Sequence, residues 1–119
     1  LPGTSPESSV ILFYNLISKG QYADAYELFS MNRKGRVLRD NFLGGFRNTL
    51  STNVIGLEKY YQDNSFATVA IRVVSLDRST TGGPDVKKAF QGEWTLVNVG
   101  GYWLLDKSNI KQVPVLPGE

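Results

Sequence analysis

Any catalysis by this chain has to run on carboxylates, phenols, amines, guanidines or hydroxyls, because the sequence holds no histidine and no cysteine. That excludes thiol nucleophiles, thiolate or imidazole metal sites and every histidine-based acid, base or triad. Neither a metal nor a cofactor is expected. Tyr14 and Tyr26 are the phenols that fall on apolar stripes. The carboxylates are less well placed. Asp24 lies off its apolar stripe, Asp40 sits where a helix cap is wanted, and Asp63, Asp77, Asp85 and Asp106 fall at turns or strand ends. Glu58 and Glu93 are mid-strand acids whose alternation points them outward. No catalytic residue is expected from this set.

Two basic features stand out. Arg72 interrupts an otherwise apolar run from Val69 to Val74. Its ordinary role there is to lie on the solvent or partner face with its stem over apolar surface. Arg33, Lys34, Arg36 and Arg39 cluster around Gly35, which reads as a solvated loop, with an acidic partner or lipid headgroup as the sharper alternative. Gly82-Gly83 and Gly100-Gly101 lack the strand–loop–helix context and the following Lys-Ser/Thr of a phosphate loop, so they are turns. Thirteen basic against 11 acidic residues give a net charge of +2, too mild for a nucleic-acid surface. The longest apolar run, Val10 to Tyr14, is far below the roughly 20 residues needed to cross a bilayer.

The elements that position these groups fit one domain. With 119 residues, the chain can bury a core without disulfides. Ser5-Pro6-Glu7 supplies a hydroxyl cap, a first-turn proline and an acid, and Val10, Phe13, Tyr14 and Ile17 recur at helical spacing. A helix is predicted over residues 6–19, closed by Gly20. Tyr22, Ala25, Tyr26 and Phe29 predict a short second helix, and residues 31–37 a loop. Leu38, Phe42, Phe46 and Leu50 predict a third helix interrupted by Gly44-Gly45.

From Asn53 the period becomes that of strands: 54–62, 66–77, 89–99 and 102–106, with a further extended piece at 110–113. The expected fold class is α+β, three N-terminal helices packed on a curved antiparallel four-stranded sheet. Residues 1–5 read as a linker, 6–113 as the domain and 114–119 as a tail. Parity assigns Trp94, Leu96, Trp103 and Leu105 to the helix-facing side.

The stretch from Gln91 to Asp106 (QGEWTLVNVGGYWLLD) with Ser108-Asn109-Ile110-Lys111, and the step Gly20-Gln21-Tyr22-Ala23-Asp24-Ala25-Tyr26 after the first helix, resemble the nuclear transport factor 2-like superfamily, also called the cystatin-like or cone fold. The likeness runs from about Ser8 to Val113. It implies a cone whose interior is either packed or hollow. Enzymes of this superfamily work at the interior, and members resembling ketosteroid isomerase pair an Asp base with a Tyr and a protonated Asp as oxyanion donors. Tyr14 or Tyr26 would match the phenol, but no carboxylate here matches its partners. Dehydratase-like and cyclase-like sites that lean on histidine find none to align.

The leading expectation is therefore a non-catalytic accessory domain that acts by protein contact or by binding a small apolar ligand. The alternative is a small isomerase- or cyclase-like enzyme using Tyr and carboxylates. Phe13, Tyr14, Tyr26, Phe29, Phe46, Phe90, Trp94 and Trp103 are the candidate pocket lining, unless they simply pack. Tyr60, Tyr61, Arg72, Tyr102 and Leu104 are the candidate interface on the outer sheet face, for a protein partner or a second copy. The Pro/Gly-rich ends and the opening Leu1 lead to the expectation of a piece of a longer, extracytoplasmic protein, secreted or membrane-anchored.

Overall fold

In the computed structural model, which describes residues 1–119, four helices precede four strands: α1 (Pro6–Ser18), α2 (Tyr22–Tyr26), α3 (Met31–Arg36), α4 (Arg39–Gly44), β1 (Thr49–Gln62), β2 (Phe66–Asp77), β3 (Val86–Val99) and β4 (Tyr102–Val113). The strands form one antiparallel sheet in the order β1-β2-β3-β4. No helix is long and apolar enough to cross a membrane.

Helix α1 starts where its sequence dictates. The Ser5 hydroxyl accepts from the Ser8 amide and the Ser8 hydroxyl accepts from the Ser5 amide, closing a reciprocal cap in front of Pro6. Its buried side, Val10, Phe13 and Ile17, lies on the sheet. The facing β2 residues Ala67, Val69, Ile71 and Val73 are all buried, as are Trp94 and Leu96 of β3 and Trp103 and Leu105 of β4. Both indoles thus lie under the helices, on the predicted parity. Phe13 sits at the middle of this core, its ring 5.4 Å from Phe29 and 5.6 Å from Trp94. Removing such a ring costs about 3–5 kcal/mol.

The sheet is bent by register shifts. Three fall along β1, and one in β3–β4 leaves Asp106 as an extra residue between Leu105 and Lys107. The outer edge of β4 is covered by chain from elsewhere. The Trp103 amide donates to the Gly3 carbonyl, and Leu28–Ser30 exchange bonds with Leu105. That protects an edge that would otherwise be free to pair. At the β3–β4 turn, Gly100 (φ 62°) and Gly101 (φ 91°) take the left-handed conformations of a two-residue hairpin.

Several sequence expectations need correction. Residues 31–37 are not a loop: the Ser30 hydroxyl accepts from the Arg33 amide and caps α3. There are accordingly four helices rather than three. The helix begun at Arg39 ends at Gly44, capped by the Gly45 amide on the Phe42 carbonyl, so Leu50 belongs to β1. Strand β1 begins at Thr49, not Val54, and β3 at Val86, not Ala89. The pieces 102–106 and 110–113 are one strand, β4, running through the Asp106 bulge.

A matched pair of glycine substitutions checks this packing. A Cβ at Gly92 would collide with the Asn109 carbonyl oxygen and meet Ile110 Cα at 2.7 Å, whereas one at Gly35 of α3 meets nothing within 4 Å. Gly92→Ala is expected to destabilise by about 1–3 kcal/mol and Gly35→Ala to stabilise by about 0.5–1 kcal/mol. Urea unfolding midpoints at constant slope measure both, and equal effects would contradict the close β3–β4 approach.

Candidate functional site

The helices cover only part of the concave sheet face. Beside the core a cleft of about 460 Å³ remains open, running along β3 between the sheet and helices α1 and α4. Its walls are aromatic: Phe13 and Tyr14 from α1, Phe42 and Phe46 from and after α4, and Phe90 and Trp94 from β3. Val73 and Ile110 are among its apolar residues. Of the eight candidate lining residues, Phe13, Tyr14, Phe29, Phe46, Phe90 and Trp94 border the cleft. Tyr26 and Trp103 do not. Tyr26 packs in the core and donates its hydroxyl to the Val37 carbonyl at 2.7 Å. Trp103 is buried near the start of α1, where the Ser9 hydroxyl donates to its carbonyl.

Polar groups gather at two ends. At one, the Trp94 indole Nε1 donates to the Tyr14 hydroxyl at 3.0 Å. No acceptor within the chain takes the Tyr14 proton. Burial pushes the Tyr14 pKa up to about 12, against the lowering effects of the indole bond and the Arg33 charge. Arg33 stands beside it, its guanidinium carbon 4.6 Å from the centre of the Phe29 ring and 4.7 Å from that of Trp94. Burial, and then the neighbouring Arg36, hold the Arg33 pKa below its usual value.

At the other end, the Lys88 amine lies 3.1 Å from Asp77 Oδ2. Asp77 Oδ1 is buried without a hydrogen-bond partner, and so is Arg33 Nε. Lys88 and Trp94 are six residues apart on β3, which at ordinary strand rise separates the two ends by about 20 Å. No hydrogen bond links a carboxylate to Tyr14.

Sequence reasoning misses two of these groups. Arg33 reads from the sequence as part of a solvated loop. Instead Ser30, whose hydroxyl donates to Asp106 at 2.6 Å, starts a helix that turns Arg33 over the aromatic rings. Asp77 reads as a mere strand end, yet it shares the inward parity of Val73 and Ser75, and that alternation is the signal that could have found it.

The candidate interface residues do not form one patch. Tyr60 and Arg72 border a shallow hollow of about 410 Å³ on the outer face. Tyr61 donates its hydroxyl to Asp63, which also accepts the Ser65 and Phe66 amides at the β1–β2 turn. Tyr102 and Leu104 lie on β4, the opposite edge strand. Arg72 is on the outer face as expected but is engaged within the chain. It makes a two-pronged pair with Glu119, donating from Nε and Nη2 at 2.6 Å each, and also reaches Gln91 and the Pro114 carbonyl. Residues 114–119 therefore fold back onto the outer face instead of leaving it.

No protein-family model matches the chain. No curated protein matches it either. Solved structures do share its architecture. One, a provisionally named scytalone dehydratase from Novosphingobium aromaticivorans, superposes with a TM-score of 0.70 at 16% identity, covering 88% of this chain and 79% of that one. The chain has the nuclear transport factor 2-like fold. A SEC-C motif containing protein from Rhodopseudomonas palustris gives a TM-score of 0.62 at 18% identity, with 89% and 78% covered. At such identities these neighbours establish the fold and leave the chemistry to the residues.

Two titrations follow from this geometry. Folded Tyr14 keeps its proton to about pH 12, while the unfolded chain releases it near the ordinary value of 10.0. Its contribution to stability is thus present below pH 10 and lost between these values. Tyr14→Phe is expected to flatten that alkaline slope, and to cost about 1–3 kcal/mol at neutral pH by orphaning the Trp94 N–H. Glu119 is held at about 2, chiefly by the Arg72 hydrogen bonds and then by the Leu116 amide. Tail docking is expected above its ordinary value of 4.5 and lost as pH falls toward 2. Hydrogen exchange at the Leu116 amide, which donates to Glu119 at 2.7 Å, reports it. A protection factor, relative to intrinsic exchange at each pH, that stays unaltered across that window would show the tail to be held otherwise.

Proposed function

We propose that this domain binds a small, largely apolar molecule in the cleft between its helices and sheet, in a non-catalytic accessory role. One observation carries the reading: ten of the cleft's eighteen lining residues are hydrophobic, aromatic rings foremost, with polar side chains set among them, which is how small-molecule sites are built. The distribution of those groups argues for binding over turnover. An acid and a base acting on one small substrate must both reach it by hydrogen bonds. Tyr14 and Asp77 lie at opposite ends of the cleft, and Asp77 is paired to Lys88. A protein contact on the outer sheet face, by a partner or a second copy, and an extracytoplasmic home go with this accessory role.

A second reading is a small enzyme of dehydratase, isomerase or cyclase type. It is favoured by the free proton of Tyr14 and the unpartnered Oδ1 of Asp77 bordering one cleft. The name of the Novosphingobium neighbour points the same way.

Titration with the neutral fluorophore N-phenyl-1-naphthylamine separates the alternatives. One saturable site is expected, and Phe46→Ala, which removes a wall, is expected to weaken it about tenfold. Absence of saturable binding would remove the first reading. Hydrogen–deuterium exchange next to the carbonyl of a bound cyclic ketone, abolished by Tyr14→Phe, would install the second.

A further inference from the structure

The cleft is electrically lopsided. Asp77 is the one carboxylate lining it, and Lys88 engages that group. Of the other cations, Lys34 pairs with Glu27, Arg36 donates to the Asp106 carbonyl and Arg72 is held by Glu119 on the far side of the sheet, and none of these lines the cleft. Arg33 differs from all of them. It borders the cleft, makes no ion pair, and spends one nitrogen on a long 3.4 Å contact to the Ser108 hydroxyl. Its Nε is buried without an acceptor, and its Nη1 makes no hydrogen bond. Asp106, whose charge is felt at Arg33, makes no ion pair with it and takes Ser30 and Asn32 on Oδ1.

A guanidinium is always charged and presents its donors in a planar fork that matches a carboxylate. Half-burying one without an anion carries a cost, which contacts with two ring faces offset in part. The groups around it are donors too. The Tyr14 hydroxyl receives the Trp94 N–H and so has its own proton to give, and Ser108 can turn its hydroxyl. Donors that outnumber their acceptors, at the end of an apolar slot, describe the complement of a negative head on an apolar body.

Resting on the binding reading above, we infer that the ligand is a small aromatic or alicyclic monocarboxylate whose carboxylate sits on the Arg33 fork and the Tyr14 hydroxyl while its ring system lies along Phe90 and Phe46. A single free cation fits a single negative charge. A phosphate monoester, with nearly two, would leave one uncompensated in an apolar cleft.

The test compares 2-naphthoate, its neutral isostere 2-naphthamide and 2-naphthyl phosphate by calorimetry on the whole chain. Naphthoate is expected to bind about ten- to a hundredfold more tightly than the amide, the range of a charge-assisted hydrogen-bonded pair. Arg33→Gln is expected to bring that ratio to about one while leaving amide affinity within about threefold, whereas Arg36→Gln keeps the preference. Should Arg33→Gln fail to fold, the unaltered protein still decides. The Arg33 Nε–H resonance is expected to shift with naphthoate and not with naphthamide, and a resonance indifferent to both sinks the assignment. Equal affinity for acid and amide overturns this inference and leaves apolar binding standing. Binding of neither overturns both. A preference that survives Arg33→Gln, or a phosphate bound tenfold more tightly than the carboxylate, overturns the anchor or the ligand class.

Discussion

A sheet whose longest strands run 14 residues, bent into a trough, offers more concave surface than these helices can cover. Only α1, with 13 residues, is long enough to seal a substantial length of it. Helices α2, α3 and α4 have 5, 6 and 6 residues and reach the rim rather than the floor. Where α1 lies, the floor is dry and packed, with Val69, Trp94 and Leu96 shielded by Val10 and Phe13. Where it does not, the same alternating face continues into Ser75, Asp77 and Lys88, and the space stays open. The cleft is thus a consequence of element lengths. Filling it would take a longer helix, and the Gly44-Gly45 pair ends α4 before it becomes one.

That arrangement explains which parts are legible from residues alone. The α1 cap, the inward parity of both indoles, the antiparallel meander and the two-glycine hairpin all follow from local rules that the tertiary fold reinforces. What cannot be read depends on long-range partners. Residues 31–36 have weak helical character, with Asn32 and Gly35 in six positions. They become a helix because Ser30 is pinned to β4, its amide on Leu105 and its hydroxyl on Asp106, which sits at a bulge 76 residues away. A bulge has no local sequence mark, so neither the continuity of β4 nor the placement of Arg33 is visible in the sequence. The prolines and glycine of residues 114–119 likewise suggest a free tail because the pair that docks it joins residues 47 apart.

The same bulge links architecture to the site. By shifting register between Leu105 and Lys107, it brings Ser108 opposite Trp94 and puts its hydroxyl within reach of Arg33. Ser30, Asp106 and Arg33 therefore act as a unit: the acid fixes the serine, the serine caps the helix, and the helix carries the cation to the rings. Asp106 thus positions the guanidinium from outside the cleft, its Oδ1 taken by Ser30 and Asn32 rather than by an ion pair with Arg33.

The contrast between Arg33 and Arg72 shows how context leaves one arginine fully engaged within the fold and another with donors to spare. Arg72 lies on the outer face and has every arm of its fork met, by Glu119, Gln91 and the Pro114 carbonyl, so its charge is spent on closing the tail. Arg33 lies on the inner face with aromatic rings below it and the Ser108 hydroxyl beside it, accepting from Nη2. Rings supply a diffuse negative face but no lone pair in the plane of the fork, so they hold the guanidinium in place and leave its hydrogen-bonding edge unmet. A cation fixed by faces and free at its edge is preorganised: little side-chain entropy remains to be lost when an anion arrives. A carboxylate reaching that edge meets donors already in position, and the apolar slot beyond decides which carboxylates can follow it in.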